Sequence, residues 1–475
     1  MIFSEPRFLL FFVLVFAAHW ALPTNGLRKL LLLGCSLYFY GCWDPRFLLL
    51  IVGCATVDFV AARQIAAARA RGATGRRWLL ASLGYDLGTL AFFKYCNFFL
   101  TSGTQLLAWL GLPVSEVTLS IVLPVGISFF TFQAMSYTID VYRGHLQPVR
   151  SYPDFLLFVV FFPQLVAGPI VRAAWFLPQL VERRRFADVD VQRAMAQFLS
   201  GFVKKTVVAD RIAVPVDAVF AAPADYSAPS IWIAVFGYAV QIYCDFSGYS
   251  DMAIGCARLL GYELCENFRA PYLAADISDF WRRWHISLST WLRDYLYISL
   301  GGNRGSKGFV MRNLMLTMLL GGLWHGAGWN FVVWGGIHGL ALVVHKEWVQ
   351  RVGTGRLPVV GRLLTLYTVL LAWIFFRAAK FGDAWLMAKA WLGLGAPGSK
   401  ELTLWSPLPG LDLLARAGLL FGALLLCHLL VARGAHLWLR TRLPAWSISV
   451  LFGAIAALAL ALMPAGARPF IYFQF

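Results

Sequence analysis

The chain has 475 residues, of which 59% are hydrophobic and 14% charged, and a mean hydropathy of +0.67; soluble globular proteins carry roughly 25% charge. That composition excludes the two or three soluble domains that length alone suggests and specifies an all-α polytopic membrane protein, in which nearly uncharged runs of about 18 residues or more recur from end to end. The formal net charge of +17 sits in Lys and Arg clusters between apolar segments, so topology and anionic lipid explain it better than nucleic acid.

The first apolar segment covers about 8–23. MIFSEPRFLLFFVLVFAAHWALP lacks a basic n-region and a small-x-small cleavage site, so it reads as a retained span. Further segments cover about 30–43 and 46–62. The stretch RQIAAARARGATGRR then holds Arg63, Arg69, Arg71, Arg76 and Arg77 without an acid, which marks a cytoplasmic loop and an outer N-terminus. A fourth span, about 78–100, leads to a loop, 101–118, without Lys or Arg, and a fifth covers about 119–137.

Pro163, Gly168 and Pro169 interrupt the apolar region within 153–205, which is flanked by Arg183–Arg185 and Lys204–Lys205. With both flanks cytoplasmic, this region is expected to be re-entrant or interfacial. Broken backbone at membrane depth is tolerated only inside protein or along a cavity, which makes the region a candidate wall of an internal site. Spans of about 206–222 and 230–256 precede a basic cytoplasmic stretch, 258–312. Spans of about 314–332, 333–345, 363–377, 412–432 and 446–464 complete roughly 11 or 12 crossings in one membrane-embedded unit, 1–475. Arg468 and the cluster 433–442 give conflicting cues for the last turns.

Eight cysteines, at 35, 42, 54, 96, 244, 256, 265 and 427, form no CxxC and read as small buried hydrophobes rather than a disulfide or zinc framework. Asp245 and Asp251 lie in the apolar run QIYCDFSGYSDMAIG; pairing with backbone or nearby arginines is favoured over cation binding. No GxSxG, HExxH or Walker A motif occurs.

Two stretches carry chemistry, both within about 241–346. In DFWRRWHISLSTWLRDYLYISLGG (279–302), Trp281, Trp284, His285, Leu288, Trp291, Leu292 and Tyr295 recur at helical spacing. Arg282, Arg283, Ser289 and Arg293 lie off that face, as on a helix in the membrane interface. Asp276 is a weak N-cap and Gly301–Gly302 ends the pattern. His285 falls on the aromatic face, where the bland alternative is a packed ring bonded to a carbonyl.

Between Arg312 and Lys346 there is no Lys, Arg, Asp or Glu, yet the segment keeps His325, His338 and His345. Gly322-x-x-x-Gly326 and Gly335-x-x-x-Gly339 permit close helix contact. An ionisable residue at membrane depth is a functional candidate by default, and exclusion from water favours a neutral ring able to accept a proton. That reading is preferred for His325 over a polar group fixing a helix contact. For His338 and His345, which share a helix face, packing is preferred.

The run FWRRWHISLSTWLRDYLYISLGGNR followed by GGLWHGAGWNFVVWGGIHG resembles the membrane-bound O-acyltransferase family, more narrowly its bacterial alginate O-acetyltransferase branch. VLPVGISFFTFQAMSYTIDVYRG, PQLVAGPIVR, QIYCDFSGYSDMAIG, NFRAPY and FIYFQF extend the likeness over nearly the whole chain. The resemblance implies a ring of about 11–12 transmembrane helices, with re-entrant or interfacial helices, around a central tunnel. It assigns His325, in LWHG, as the catalytic residue and His285, in RWHIS, as a second functional position. Trp324, Trp284, Asn267 and Asn330 are expected as tunnel wall or scaffold.

It further implies no bound cofactor or metal, with acetyl-coenzyme A or another acyl thioester as donor, drawn by the basic cytoplasmic surface. In a bacterial inner membrane, acetyl would pass towards an exopolysaccharide such as alginate, directly or through a periplasmic acetyltransferase partner. Acetylation of peptidoglycan or cellulose and D-alanyl transfer are alternatives within the enzyme class. A conduit or flippase for an acylated carrier is the alternative outside it.

Overall fold

Within hydrocarbon every peptide group must find its partner inside the protein, and a helix does this within one segment. Accordingly the computed structural model is helical, with no strand among the described residues and one isolated bridge between Tyr226 and Lys400. It describes residues 1–112, 115, 118–166, 168–353, 358–395, 397–402, 413–432, 444–463, 468, 470 and 471. The 433–442 cluster, part of the 101–118 loop and the last four residues of FIYFQF lie outside these.

The helices are α1 (Pro6–Ala21), α2 (Asn25–Gly41), α3 (Arg46–Ala70), α4 (Arg76–Leu90), α5 (Cys96–Trp109), α6 (Ile127–Arg143), α7 (Tyr152–Val160), α8 (Phe162–Leu165), α9 (Ala173–Val181) and α10 (Val191–Val203). They continue with α11 (Asp210–Ala221), α12 (Ala228–Leu259), α13 (Ile277–Arg283), α14 (Ile286–Trp291), α15 (Lys307–His325), α16 (Trp329–Val352), α17 (Pro358–Arg377), α18 (Phe381–Trp391), α19 (Leu413–Ala432) and α20 (Ala445–Ala461). By length and composition α3 and α17 are able to cross a membrane; α1, 421–430 and 446–461 are apolar but shorter. Several of the other expected spans are interrupted or polar inside: α4 runs into a π-turn at Ala91–Tyr95, and α12 carries Asp245 and Asp251. Large apolar side chains such as Leu10, Leu49, Leu363 and Val450 are exposed, which suits contact with lipid tails. Of the cysteines, Cys54, Cys244 and Cys256 are buried, whereas Cys42 and Cys427 are exposed, so the buried reading fails for those two.

The chain divides into two compact units, residues 1–198 with 252–265, and residues 199–251 with 266–475. In the first, Asp58 of α3 accepts hydrogen bonds from Ser82 of α4 and from Thr138 of α6, the latter at 2.7 Å. The interruption expected near Pro163 is present, and side chains bond the backbone groups beside it. Phe161 leaves helical geometry, the Phe162 N–H donates to Ser36 Oγ at 3.1 Å, and the Phe158 carbonyl accepts instead from Gln133 and Gln164, at 2.8 and 2.6 Å. Side chains thus replace the helical donor that the break removes.

In the second unit, α15 and α16 form an antiparallel hairpin. Hydropathy places a boundary near 332, but the turn lies at Gly326–Gly328, so the first helix begins and ends earlier than expected and the second is longer. The reason is steric. A Cβ on Gly322 would overlap the Phe331 carbonyl, and one on Gly335 would overlap the Met318 carbonyl, so these glycines set the hairpin's close approach.

Candidate active site

His285 does not lie on a continuous helix. The expected helix over 279–302 breaks after α13: Trp284 is extended, and His285 takes left-handed angles, φ 42° and ψ 54°, before α14 begins. A non-glycine residue in that region costs about 1–3 kcal/mol and persists only where its surroundings enforce it. Asn267 supplies the enforcement. Its Oδ1 accepts from the Ser287 N–H at 3.2 Å and from Ser287 Oγ at 2.9 Å, and its carbonyl accepts from the Ile286 N–H at 2.9 Å. Its Nδ2 donates to Ser250 Oγ on α12 at 3.1 Å, and the Arg269 N–H closes the other side on the Arg283 carbonyl at 2.9 Å. Upstream, Asp276 does cap α13, accepting from the Asp279 N–H at 2.8 Å.

His325 is the last residue of α15, 4% exposed. Its ring centroid lies 6.4 Å from that of His285, so two motifs forty residues apart meet in one place. Trp324, Trp334 and Phe376 surround it at 5.0, 4.9 and 5.2 Å, all edge-on. Phe246 of α12 packs edge-on to His285 at 4.6 Å, and Trp324 lies 6.1 Å from His285. The result is an imidazole pair in a buried aromatic box, flanked on the His325 side by the hairpin turn.

The other expected residues take different places. Trp284 packs among Trp373, Phe268 and Phe280, at 4.9, 5.0 and 5.7 Å. Asn267 holds the His285 turn, and Asn330 Nδ2 donates to the Ala378 carbonyl at 2.7 Å, tying the start of α16 to the end of α17. His345 Nε2 faces Asp276 Oδ1 at 3.5 Å, while His338 is fully buried among aromatic rings. Trp334, Phe376 and Phe246 were not singled out by sequence. Trp334 had a signal, since a tight glycine hairpin brings early α16 against late α15; Phe376 and Phe246 had none in their own segments.

Beside this box, α12 carries a buried ionic cluster. Lys205 lies 2.7 Å from Asp210 and 2.9 Å from Asp245, and Asp245 Oδ2 also accepts from the Ile471 N–H at 2.8 Å. Lys204 pairs with Asp251 and donates to Ser247 Oγ at 3.0 Å. Asp245 thus has the expected backbone partner, and the cations paired with the two aspartates are lysines rather than arginines. Arg377 and Arg468 share Asp217, at 2.7 and 2.6 Å. The bonds to Asp245, Ser247 and Asp251 fix α12, from which Phe246 and Ser250 reach the His285 turn. Among the described residues no three His, Cys, Asp or Glu converge as a metal-binding set.

The clamp predicts that Asn267→Ala lowers stability by about 2–4 kcal/mol, because several buried bonds at about 1 kcal/mol each are lost together with a strained turn's support. Asn267→Asp, which keeps the acceptor, should recover part of this. Thermal unfolding of the purified protein checks both, and equal melting of Asn267→Ala and native protein would remove the clamp from the argument.

Residues 144–382 match the membrane-bound O-acyltransferase family. The chain is 40% identical over 432 residues to a probable alginate O-acetylase of Pseudomonas aeruginosa, covering 91% of this chain and 81% of that protein. It is 37% identical over 428 residues to the peptidoglycan O-acetyltransferase of Helicobacter pylori, covering 83% and 80%. To the teichoic acid D-alanyltransferase of Streptococcus thermophilus it is 28% identical over 307 residues, covering 58% and 73%.

Proposed function

The chain belongs to the membrane-bound O-acyltransferase family and is a membrane O-acyltransferase, and on that premise we propose that His325 is the base that activates the acceptor hydroxyl. The supporting observation is the convergence of His325 and His285 at 6.4 Å inside an aromatic box. Rings this close are both able to reach one oxygen through hydrogen bonds of ordinary length, roughly 2.6–3.2 Å, and in this reading that oxygen belongs to the acceptor hydroxyl.

In the proposed reaction His325 takes the hydroxyl proton while the oxygen attacks the thioester carbonyl carbon. The carbon–sulfur bond breaks, and the leaving thiolate recovers the proton from His325, so ester and thiol form with no net proton change. His285, held by its turn, steadies either the hydroxyl or the oxygen that gains charge. The aromatic walls exclude water, which would otherwise compete as acceptor.

The donor in this reading is acetyl-coenzyme A or another acyl thioester, reaching a central tunnel from the basic cytoplasmic side of an inner membrane, with the N-terminus on the periplasmic side. The acceptor is an exopolysaccharide such as alginate, met directly or through a periplasmic acetyltransferase. The likeness to a peptidoglycan O-acetyltransferase keeps a glycan of the wall as the second acceptor class. Purified protein in liposomes, given labelled acetyl thioester inside and oligosaccharide outside, should release thiol inside and label the sugar. A conduit for an acylated carrier would leave the thioester intact, and that result would end the enzymatic reading of His325.

A further inference from the structure

His338 is wholly buried in α16, and neither of its ring nitrogens has a hydrogen-bond partner among the described residues. Trp334, Trp281 and Phe280 enclose it, with centroids at 4.8, 4.9 and 6.1 Å. The indole N–H groups of Trp281 and Trp334 are likewise buried without an acceptor. Each such orphaned group costs about 1–3 kcal/mol, whereas phenylalanine at 338 would fill the same aromatic space without that penalty. Three unsatisfied polar side chains in one box leave hydrogen-bonding capacity that a bound group is able to meet.

Position narrows what that is. Trp334 is shared, standing 4.9 Å from His325 on one side and 4.8 Å from His338 on the other. At the opposite end of the hairpin, Asn303, Lys307, Lys346 and Glu347 line a charged cleft of about 240 Å³. His338 lies nine residues from Trp329 and nine from Glu347, roughly 13 Å from each along the helix. It therefore stands midway between the charged cleft, where Lys307 pairs with Glu347 and Lys346 donates to Asn303, and the reacting centre. A neutral imidazole offers one donor and one acceptor, and two indoles offer donors. A secondary amide matches most of that set: its N–H meets the imidazole acceptor, and its carbonyl accepts from two of the three donors.

We propose that His338, with Trp281 and Trp334, is the subsite that hydrogen-bonds the amide-bearing arm of the acyl thioester between the charged cleft and His325. This rests on the reading of the chain as a thioester-dependent O-acyltransferase centred on His325.

The test compares native protein with His338→Phe on two donors: the acetyl thioester of phosphopantetheine, and an analogue whose arm amides are replaced by methylene units. His338→Phe is expected to melt at or above the native temperature. Its kcat/KM for the amide donor should fall roughly 5- to 150-fold, mostly through KM, which is the loss of one hydrogen bond to a buried group. With the methylene analogue, native protein and variant should be equal. His338→Gln, which keeps a donor and an acceptor, should recover part of the preference for the amide donor. Unchanged turnover of both donors by His338→Phe overturns the subsite, as does an equal loss on both, which would mark a packing role. Failure of His338→Phe to fold also overturns it, since the imidazole would then be a structural partner. If native protein uses neither thioester while acetylating its acceptor from another donor, the subsite falls and the base assignment of His325 survives.

Discussion

Acetylation of the acceptor polymer in cells carrying His325→Ala is expected to fall by about 10²–10⁴-fold, the range that a positioned general base contributes. The substitution removes the proton acceptor and leaves Trp324, Trp334 and Phe376 facing an emptied site. His325→Gln separates the two effects, because an amide fills much of the space and bonds a hydroxyl but does not take its proton. Both variants should therefore be inactive, with His325→Gln nearer to native abundance in the membrane. Polymer acetyl content, normalised to the protein extracted from membranes, is the measurement; native acetylation by either variant removes His325 from the chemistry. His285→Ala should lower the rate less, since in the proposed reaction that ring steadies the hydroxyl or the oxygen that gains charge and does not take the proton.

Lys205→Met carries the largest expected effect on stability. Lys205 is 1% exposed and is the cation shared by Asp210 and Asp245. Removing one partner of a buried ion pair costs about 3–5 kcal/mol, because the remaining charge is left without compensation, and here two carboxylates are left. The melting temperature in detergent should drop by more than for any single exposed lysine. Adding Asp245→Asn to Lys205→Met should restore part of the loss, since it removes one orphaned charge while leaving an acceptor for the Ile471 N–H. A double variant no more stable than the single one would show that the cluster does not act as a charge-balanced unit. Because α12 also presents Phe246 and Ser250 to the His285 turn, activity should decline along with stability.

How much of this was legible beforehand depends on how local each cause is. Composition was enough for the membrane class, and the two GxxxG spacings anticipated the tight α15–α16 hairpin because close contact leaves a mark in both partners. The glycines did not reveal where the hairpin turns, since Gly326 and Gly328 are not more conspicuous than their neighbours in an apolar segment. The break at His285 was hidden for another reason. No glycine or proline marks it, and the aromatic spacing runs through it without a fault; the cause is Asn267, held to α12 and to Ser287. The charged run Lys204–Lys205 looked like a cytoplasmic flank because positive clusters usually are. Its true partners, Asp210, Asp245 and Asp251, could be seen as needing cations but not as being within reach of these two. His325 and His285 stood out as ionisable rings in apolar surroundings, whereas Phe376, which also encloses His325, had nothing in its own segment to distinguish it.

The bond from the Ile471 N–H to Asp245, and that from Arg468 to Asp217, also bear on how the protein is made. The two residues of the first pair are 226 positions apart in the chain. At about 5–20 residues per second, a ribosome needs roughly 10 to 45 s to cover that interval. During this time Lys205 is able to neutralise Asp245 and its near neighbour Asp210, yet one carboxylate oxygen waits for a segment still to be synthesised. The bond that completes the pairing of Asp245 on α12 is thus made by a segment laid down long after that helix. A nascent chain stalled ahead of Arg468 would present a helix with its acidic positions incompletely paired, the kind of defect that membrane quality-control proteases are placed to recognise.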